Sequence, residues 1–196
     1  MQRFIASIRA ALKHENWFAA LFLALAIPDV CAALEAPAAG VGDRYKNWFT
    51  RYLKRKYDPA NLYELVSVAA PDALQGMSVA VIENLKTLPT NAECAFTAED
   101  CYRFRCKCLH QGLSLDASGE KIHFTAPDKA GRVQLHMNSF NGVYQLQIDI
   151  FCLDICEAAE RWLGDVSANP DVQRRLAELI EIHDLGDPRV KIVEYE

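Results

Sequence analysis

The apolar residues of this chain recur three or four positions apart over most of its length. The clearest stripe is Tyr45, Trp48, Phe49, Tyr52 and Leu53, which share one side of a helix while basic residues occupy the other. An apolar face of this kind has to be buried against other elements. The chain of 196 residues, 51% of them hydrophobic, is therefore predicted to form a mainly α helical bundle, with one domain over residues 1–196.

The most apolar segment, Trp17 to Ile27, is similar to the core of a signal peptide, but a long region with charges of both signs precedes it. Residues 16–28 are uncharged, which is fewer than the roughly 20 residues that a membrane-spanning helix needs. Pro28 is predicted to end this helix, and a short helix is predicted over 29–34. We interpret the segment as a core helix and expect no membrane partner.

A helix is predicted at about 98–111 from signals at its two ends. Thr97 and Asp100 match a capping box, and Gly112 stands where a left-handed C-terminal cap is expected. After this helix, three short runs favour β-structure, and the pair Asn141-Gly142 favours a hairpin turn. The runs are Lys121–Ala126, Val133–Asn138 and Val143–Ile148. They predict a small antiparallel sheet inserted around residues 121–148, before helical spacing returns.

Charge and cysteine content narrow the classes of function. The formal net charge of -5 argues against a protein that coats nucleic acid through its overall field, so any contact with RNA has to be local. Seven cysteines, an odd number, fit a reduced protein of the cytoplasm. Cys106 and Cys108 would point to different sides of a helix, so they do not chelate one ion together. We expect no metal and no cofactor.

Arg105 is predicted to lie in the apolar arc of the 98–111 helix, while Arg103, Lys107 and His110 cluster on the opposite side. Leaving a buried guanidinium unpaired costs several kcal/mol, so Arg105 needs a partner or a function. In one interpretation, it pairs with a carboxylate of a neighbouring helix, and Lys107 and His110 cap the helix end. In the other, His110 takes and gives protons near neutral pH.

The segment Arg105–His110 (RCKCLH) resembles the R-x4-H signature of the HEPN superfamily. Residues 100–112, 27–29 (IPD) and 151–155 (FCLDI) resemble an uncharacterised, plasmid-associated bacterial branch of it. The resemblance implies a homodimeric, metal-independent endoribonuclease, of toxin–antitoxin or phage-defence type, with an antitoxin as a possible partner. It makes Arg105 and His110 catalytic, with Arg103 and Lys107 auxiliary. The alternative is a non-catalytic HEPN module that binds RNA, nucleotide or a protein partner, because Cys106 replaces a polar residue common in the family.

The basic side of the stripe at residues 44–57 is the second candidate surface. Its candidate RNA contacts are Arg44, Arg51, Lys54 and Arg55. Aromatic rings interleaved with cations are typical of surfaces that bind single strands. Since most of these aromatics share one stripe, the residues also fit a buried core with an ordinary solvated basic face.

Overall fold

The computed structural model describes residues 1–91, 95–115 and 121–183. The helices are α1 (Gln2–Lys13), α2 (Trp17–Glu35), α3 (Val41–Tyr52), α4 (Lys54–Tyr57), α5 (Leu62–Ala69), α6 (Val79–Thr87), α7 (Ala98–Gln111), α8 (Ile148–Asp165) and α9 (Pro170–Ala177). A 3-10 helix, Pro71–Leu74, follows α5. The strands are β1 (Ile122–Thr125), β2 (Asn138–Phe140) and β3 (Val143–Gln147). The prediction of a mainly α fold with a small sheet is confirmed.

Helix α2 lies at the centre of the bundle and packs against α1, α3 and α8. It continues through Pro28 to Glu35, so the prediction that Pro28 ends the helix is wrong. Proline removes one backbone hydrogen bond, at a cost of about 3 kcal/mol, but Cys31 and Leu34 beyond it are buried and offset that cost. Within the described residues, α2 is long and apolar enough to cross a bilayer by length and composition alone, and 44% of its most apolar stretch is buried.

The sheet has the strand order β1-β3-β2. Strands β2 and β3 form the predicted antiparallel hairpin, and Asn141 and Gly142 take the positive φ angles of 51° and 71° that its turn requires. Strand β1 pairs with β3 in parallel, with Ile122 opposite Tyr144, so the prediction of a purely antiparallel sheet is wrong. The stretch 126–137 returns the chain across the sheet instead of forming a strand, and β2 begins only at Asn138.

Helices α3 and α7 pack together and carry the candidate site. The capping box of α7 is confirmed, because the Thr97 side chain accepts from the Asp100 N–H and the Asp100 carboxylate accepts from the Thr97 N–H. Gly112 ends α7 in the left-handed conformation, as predicted. The stripe on α3 is confirmed as core, since Tyr45, Trp48 and Phe49 are buried.

Candidate functional site

Three helices meet at the carboxylate of Asp29. Arg105 of α7 donates from Nη2 to Asp29 Oδ2 at 3.1 Å, and Arg44 of α3 donates from Nε and Nη2 to Oδ1 at 2.9 and 2.8 Å. We call these three residues the Asp29 cluster. The Arg105 side chain is 15% exposed and that of Asp29 is 19% exposed. The interpretation that Arg105 pairs with a carboxylate of a neighbouring helix is confirmed.

The Asp29 cluster carries a formal charge of +1, because two guanidiniums share one carboxylate. Several guanidinium N–H groups of the cluster form weak hydrogen bonds or none with the described residues. Among the described residues, the buried Arg105 Nε has no hydrogen-bond partner, and Arg105 Nη1 reaches only the Cys106 sulfur at 3.8 Å. Arg44 Nη1 lies 3.5 Å from the carbonyl oxygen of Ala39, a weak contact. A partly open group of this kind attracts an anion.

His110 lies on the exposed side of α7, away from the Asp29 cluster. Helix α7 is unbroken to Gln111, so the five-residue separation places Arg105 and His110 about 140° apart around the helix axis. Lys107 and His110 form no hydrogen bond or ion pair with any described residue. Backbone N–H groups of Gly112 and Leu113 cap the helix end, so capping by Lys107 and His110 is wrong.

Arg103 shares the exposed side of α7 with His110. Its Nε donates to Glu99 Oε1 at 2.7 Å, and Lys46 of α3 donates to the other carboxylate oxygen at 3.0 Å. The hydrogen bonds from Arg103 and then Lys46 lower the pKa of Glu99 below its usual value. Arg103 is therefore already balanced by an acidic neighbour, whereas Lys107 beside it is not.

The candidate RNA contacts beyond Arg44 differ in how far they are neutralised. Arg51 pairs with Glu35 and Asp165, each at 3.1 Å, and its guanidinium lies over the Tyr52 ring. Lys54 approaches Asp58. Arg55 donates only to the Ser67 hydroxyl, at 3.0 Å. Three of the four predicted contacts therefore have carboxylate partners, and Arg55 has none among the described residues.

A second carboxylate with side-chain partners on another helix was missed in the sequence, and this one is buried. Asp154 of α8 is 8% exposed and accepts hydrogen bonds from Lys56 Nζ and the Tyr57 hydroxyl, both at 2.6 Å. We call Asp154, Lys56 and Tyr57 the Asp154 cluster. Burial, followed by the charge of Asp154, raises the pKa of Tyr57 well above its usual value. An acidic residue inside the apolar run FCLDI was the signal that could have revealed it, and Asp29 in the run IPD is the same kind of signal.

The described cysteines are free, and Cys94 lies outside the described residues. Burial raises the pKa of the Cys101 thiol to about 12 and that of Cys156 to about 11, so both stay protonated and pack as small apolar groups. Within the described part of the chain, no three His, Cys, Asp or Glu side chains are grouped so that they could hold a metal ion.

Fold and site define a mainly α protein with a mixed three-stranded sheet and an arginine-rich polar cluster between α2, α3 and α7. No family model, no curated protein and no solved structure matches this chain. The likeness to the HEPN superfamily stays a prediction from the residues quoted above.

Proposed function

We propose that this chain is a metal-independent endoribonuclease that acts as a homodimer in the cytoplasm. One observation carries the proposal: Arg105 of the positively charged, partly open Asp29 cluster lies on the same helix as an exposed His110, which has no partner among the described residues. An anion site beside a proton-transfer group is what phosphodiester cleavage requires. The R-x4-H pattern of α7 adds the resemblance to a family of ribonucleases.

In the proposed reaction, the ribose 2′-oxygen attacks the adjacent phosphorus while the bond from phosphorus to the 5′-oxygen breaks. His110 accepts the proton of the 2′-hydroxyl, and the imidazolium that forms gives this proton to the leaving 5′-oxygen. Arg105 and Arg44 stabilise the negative charge that builds on the phosphate oxygens. The products are a cyclic 2′,3′-phosphate and a 5′-hydroxyl. DNA lacks the 2′-hydroxyl and is not cleaved.

The separation of the two side chains explains why the proposal needs a second copy. Arg105 and His110 lie about 140° apart around α7, so one helix does not present both to one phosphodiester. The Arg105 side of α7 packs against α2 and α3 of its own chain, so we infer that a second copy supplies His110 to the open edge of the Asp29 cluster. A protein that remains monomeric at the concentrations used for cleavage would contradict this arrangement.

A non-catalytic module is the second candidate, and two observations favour it. Arg105 already has a carboxylate partner in Asp29, and Cys106 follows it where many HEPN proteins have a polar residue. In that case, the Asp29 cluster binds RNA, nucleotide or a protein partner without cleaving RNA. The biological setting of the enzyme, toxin–antitoxin or phage defence with an antitoxin partner, is also part of this proposal and rests on the resemblance alone.

Cleavage of mixed RNA in EDTA tests the proposal. Relative to wild type, we expect His110→Ala to lose about 10²–10⁴-fold in rate, since it removes the proton-transfer group. Arg105→Ala should reduce the rate by a similar factor, because the charge on the phosphate oxygens is no longer stabilised. The matched controls are His123→Ala and Arg132→Ala, which change exposed residues elsewhere, and Arg105→Lys shows whether charge alone suffices.

Thermal unfolding of each variant separates a defect in chemistry from a defect in folding, and sedimentation reports the oligomeric state. Cleavage that survives either alanine substitution, or a wild-type protein that does not cleave, contradicts the enzyme. RNA binding without cleavage supports the module instead.

A further inference from the structure

A second basic cavity lies beside the α3–α4 segment and α8. Its volume is about 430 Å³. Its charged lining consists of the cations Arg51, Arg55, Lys56 and Arg161 and the carboxylates Asp154 and Glu157. The lining therefore has a formal charge of +2, whereas the whole chain has a formal charge of -5. A local excess of this kind is the electrostatic requirement for an anionic ligand.

Two of these cations have no carboxylate partner in the part of the chain that the structure describes. Lys56 is neutralised by Asp154, and Arg51 pairs with residues outside the cavity lining. Arg55 donates to the Ser67 hydroxyl and Arg161 donates from Nη2 to the Tyr52 carbonyl oxygen at 2.8 Å. Among the described residues, neither guanidinium lies within ion-pairing distance of a carboxylate. Each is oriented by a neutral acceptor and keeps N–H groups for a bidentate contact with a phosphate.

This cavity shares two lining residues with a smaller cavity that reaches Arg44 of the Asp29 cluster. A smaller cavity of about 190 Å³ is lined by Arg51 and Tyr52, which also line the larger one, and by Arg44 of the Asp29 cluster. Arg44 and Arg51 are seven residues apart on α3, so they share one face with a rise of about 10 Å between them. The two cavities therefore extend from the Asp29 cluster along α3 to Arg161 on α8.

We propose that the larger cavity binds a phosphate group of the RNA strand whose scissile phosphodiester lies at the Asp29 cluster. Arg55 and Arg161 are the residues that contact it, and Arg51 lies between the two positions. This assignment rests on the proposed function, since it places the same strand at both ends of the α3 face. A free phosphate or nucleotide offers the same chemical group, so the experiment has to separate these sources.

The test measures binding of a short single-stranded RNA, labelled at one end, by fluorescence anisotropy in EDTA. All proteins carry His110→Ala, so that the RNA stays intact. Arg55→Ala combined with Arg161→Ala is compared with Arg132→Ala combined with Arg174→Ala, which removes the same charge from exposed sites elsewhere. We expect the first pair to raise Kd by about tenfold or more. It should also flatten the dependence of log K on log salt by about 0.7 for each phosphate that the protein no longer neutralises.

Equal Kd values and equal salt slopes for the two pairs would overturn the proposal. Combined Arg55→Lys and Arg161→Lys substitutions keep the charge and should recover part of the affinity, which excludes a folding defect as the cause. In a second arm, inorganic phosphate and a nucleoside monophosphate replace RNA. Either small ligand could bind saturably and as tightly as RNA, with binding abolished in the Arg55 and Arg161 variant. That result would assign the cavity to a free ligand and contradict the proposal that it binds an RNA strand.

The outcomes separate this cavity from the proposed catalysis. If the Arg55 and Arg161 variant binds RNA more weakly but the wild-type protein does not cleave RNA, the cavity is still an RNA-binding site and the proposed enzymatic activity is contradicted. If cleavage requires His110 and Arg105 but the Arg55 and Arg161 variant binds RNA normally, only the proposed role of the cavity is contradicted.

Discussion

The Asp29 and Asp154 clusters are built on the same plan and differ in their charge balance. In each cluster, one carboxylate accepts hydrogen bonds from side chains that neighbouring parts of the chain supply. Asp29 receives two guanidiniums, which leaves a formal charge of +1. Asp154 receives Lys56 and the neutral hydroxyl of Tyr57, which leaves no net charge.

The two carboxylates also differ in their contact with solvent. The side chain of Asp29 is 19% exposed, and that of Asp154 is 8% exposed. A neutral cluster around a buried carboxylate satisfies its own polar groups and has little left for a ligand. A positive, partly open cluster has unused donors and attracts an anion. The comparison therefore assigns Asp154 mainly to stability and Asp29 mainly to binding.

Asp154→Ala should have the largest effect on stability. Removing the carboxylate leaves the buried Tyr57 hydroxyl and the Lys56 ammonium without their partner, and we expect the free energy of unfolding to fall by about 3 kcal/mol. Urea unfolding measures the change. Tyr57→Phe, which removes one hydrogen bond and keeps the ring, should cost about 1 kcal/mol. A loss for Asp154→Ala no greater than that for Asp29→Ala would break the comparison.

Asp29→Asn should have a smaller effect on stability and a distinct effect on function. The substitution raises the formal charge of the cluster from +1 to +2 and replaces one of the two oxygens that orient Arg44 and Arg105 with an NH2 group, which cannot accept a hydrogen bond. We expect RNA binding at low salt to tighten by about threefold, and kcat for cleavage to fall by about tenfold as the guanidiniums lose their orientation. The free energy of unfolding should fall by about 1 kcal/mol.

Asp43→Asn is the matched control for Asp29→Asn, because it removes the same charge from an exposed position on α3. Kinetics across a range of RNA concentrations separate kcat from KM. A variant whose kcat equals that of Asp43→Asn would show that Asp29 does not position the arginines.

Local signals in the sequence predicted several elements of the fold. The capping box at Thr97 and the turn at Asn141 depend on residues close together in the chain, so their patterns predict them correctly. The partners of Arg105 and Lys56 are 76 and 98 residues away along the chain, and no local pattern encodes which carboxylate each will meet. Sequence reasoning therefore identified Arg105 as a residue that needs a partner without identifying Asp29.

The errors in the predicted fold have a related cause. The predicted helix end at Pro28 took account only of the backbone hydrogen bond that proline removes. Burial of residues on both sides of Pro28 keeps α2 helical. The parallel pairing of β1 with β3 depends on where the stretch 126–137 carries the chain, which alternation of residues within a strand does not specify. In both cases, long-range packing overrode a local preference.

A pH effect separates the two clusters again, because His136 packs beside the Asp154 cluster. Its ring centroid lies 5.7 Å from that of Tyr57, and its Nδ1 accepts the backbone N–H of Gln147 at 3.3 Å. Burial lowers the pKa of His136 to about 4, an effect that Asp154 and Asp149 oppose and Lys56 reinforces. The native ring therefore stays neutral at a pH where an unfolded chain binds a proton.

The free energy of unfolding should decrease as the pH is lowered from about 6.5, the pKa of an unfolded histidine, to the native value of about 4. Only the unfolded state gains a proton in that window. The partial exposure of the ring screens its charge, so we expect a loss of about 1–2 kcal/mol between about pH 7 and about pH 4. His136→Asn keeps an acceptor for the Gln147 N–H and removes the titration. Urea unfolding at several pH values should therefore show a smaller loss of stability for the variant than for the wild type. Parallel plots of stability against pH for the two proteins would mean that the ring is not held neutral beside the Asp154 cluster.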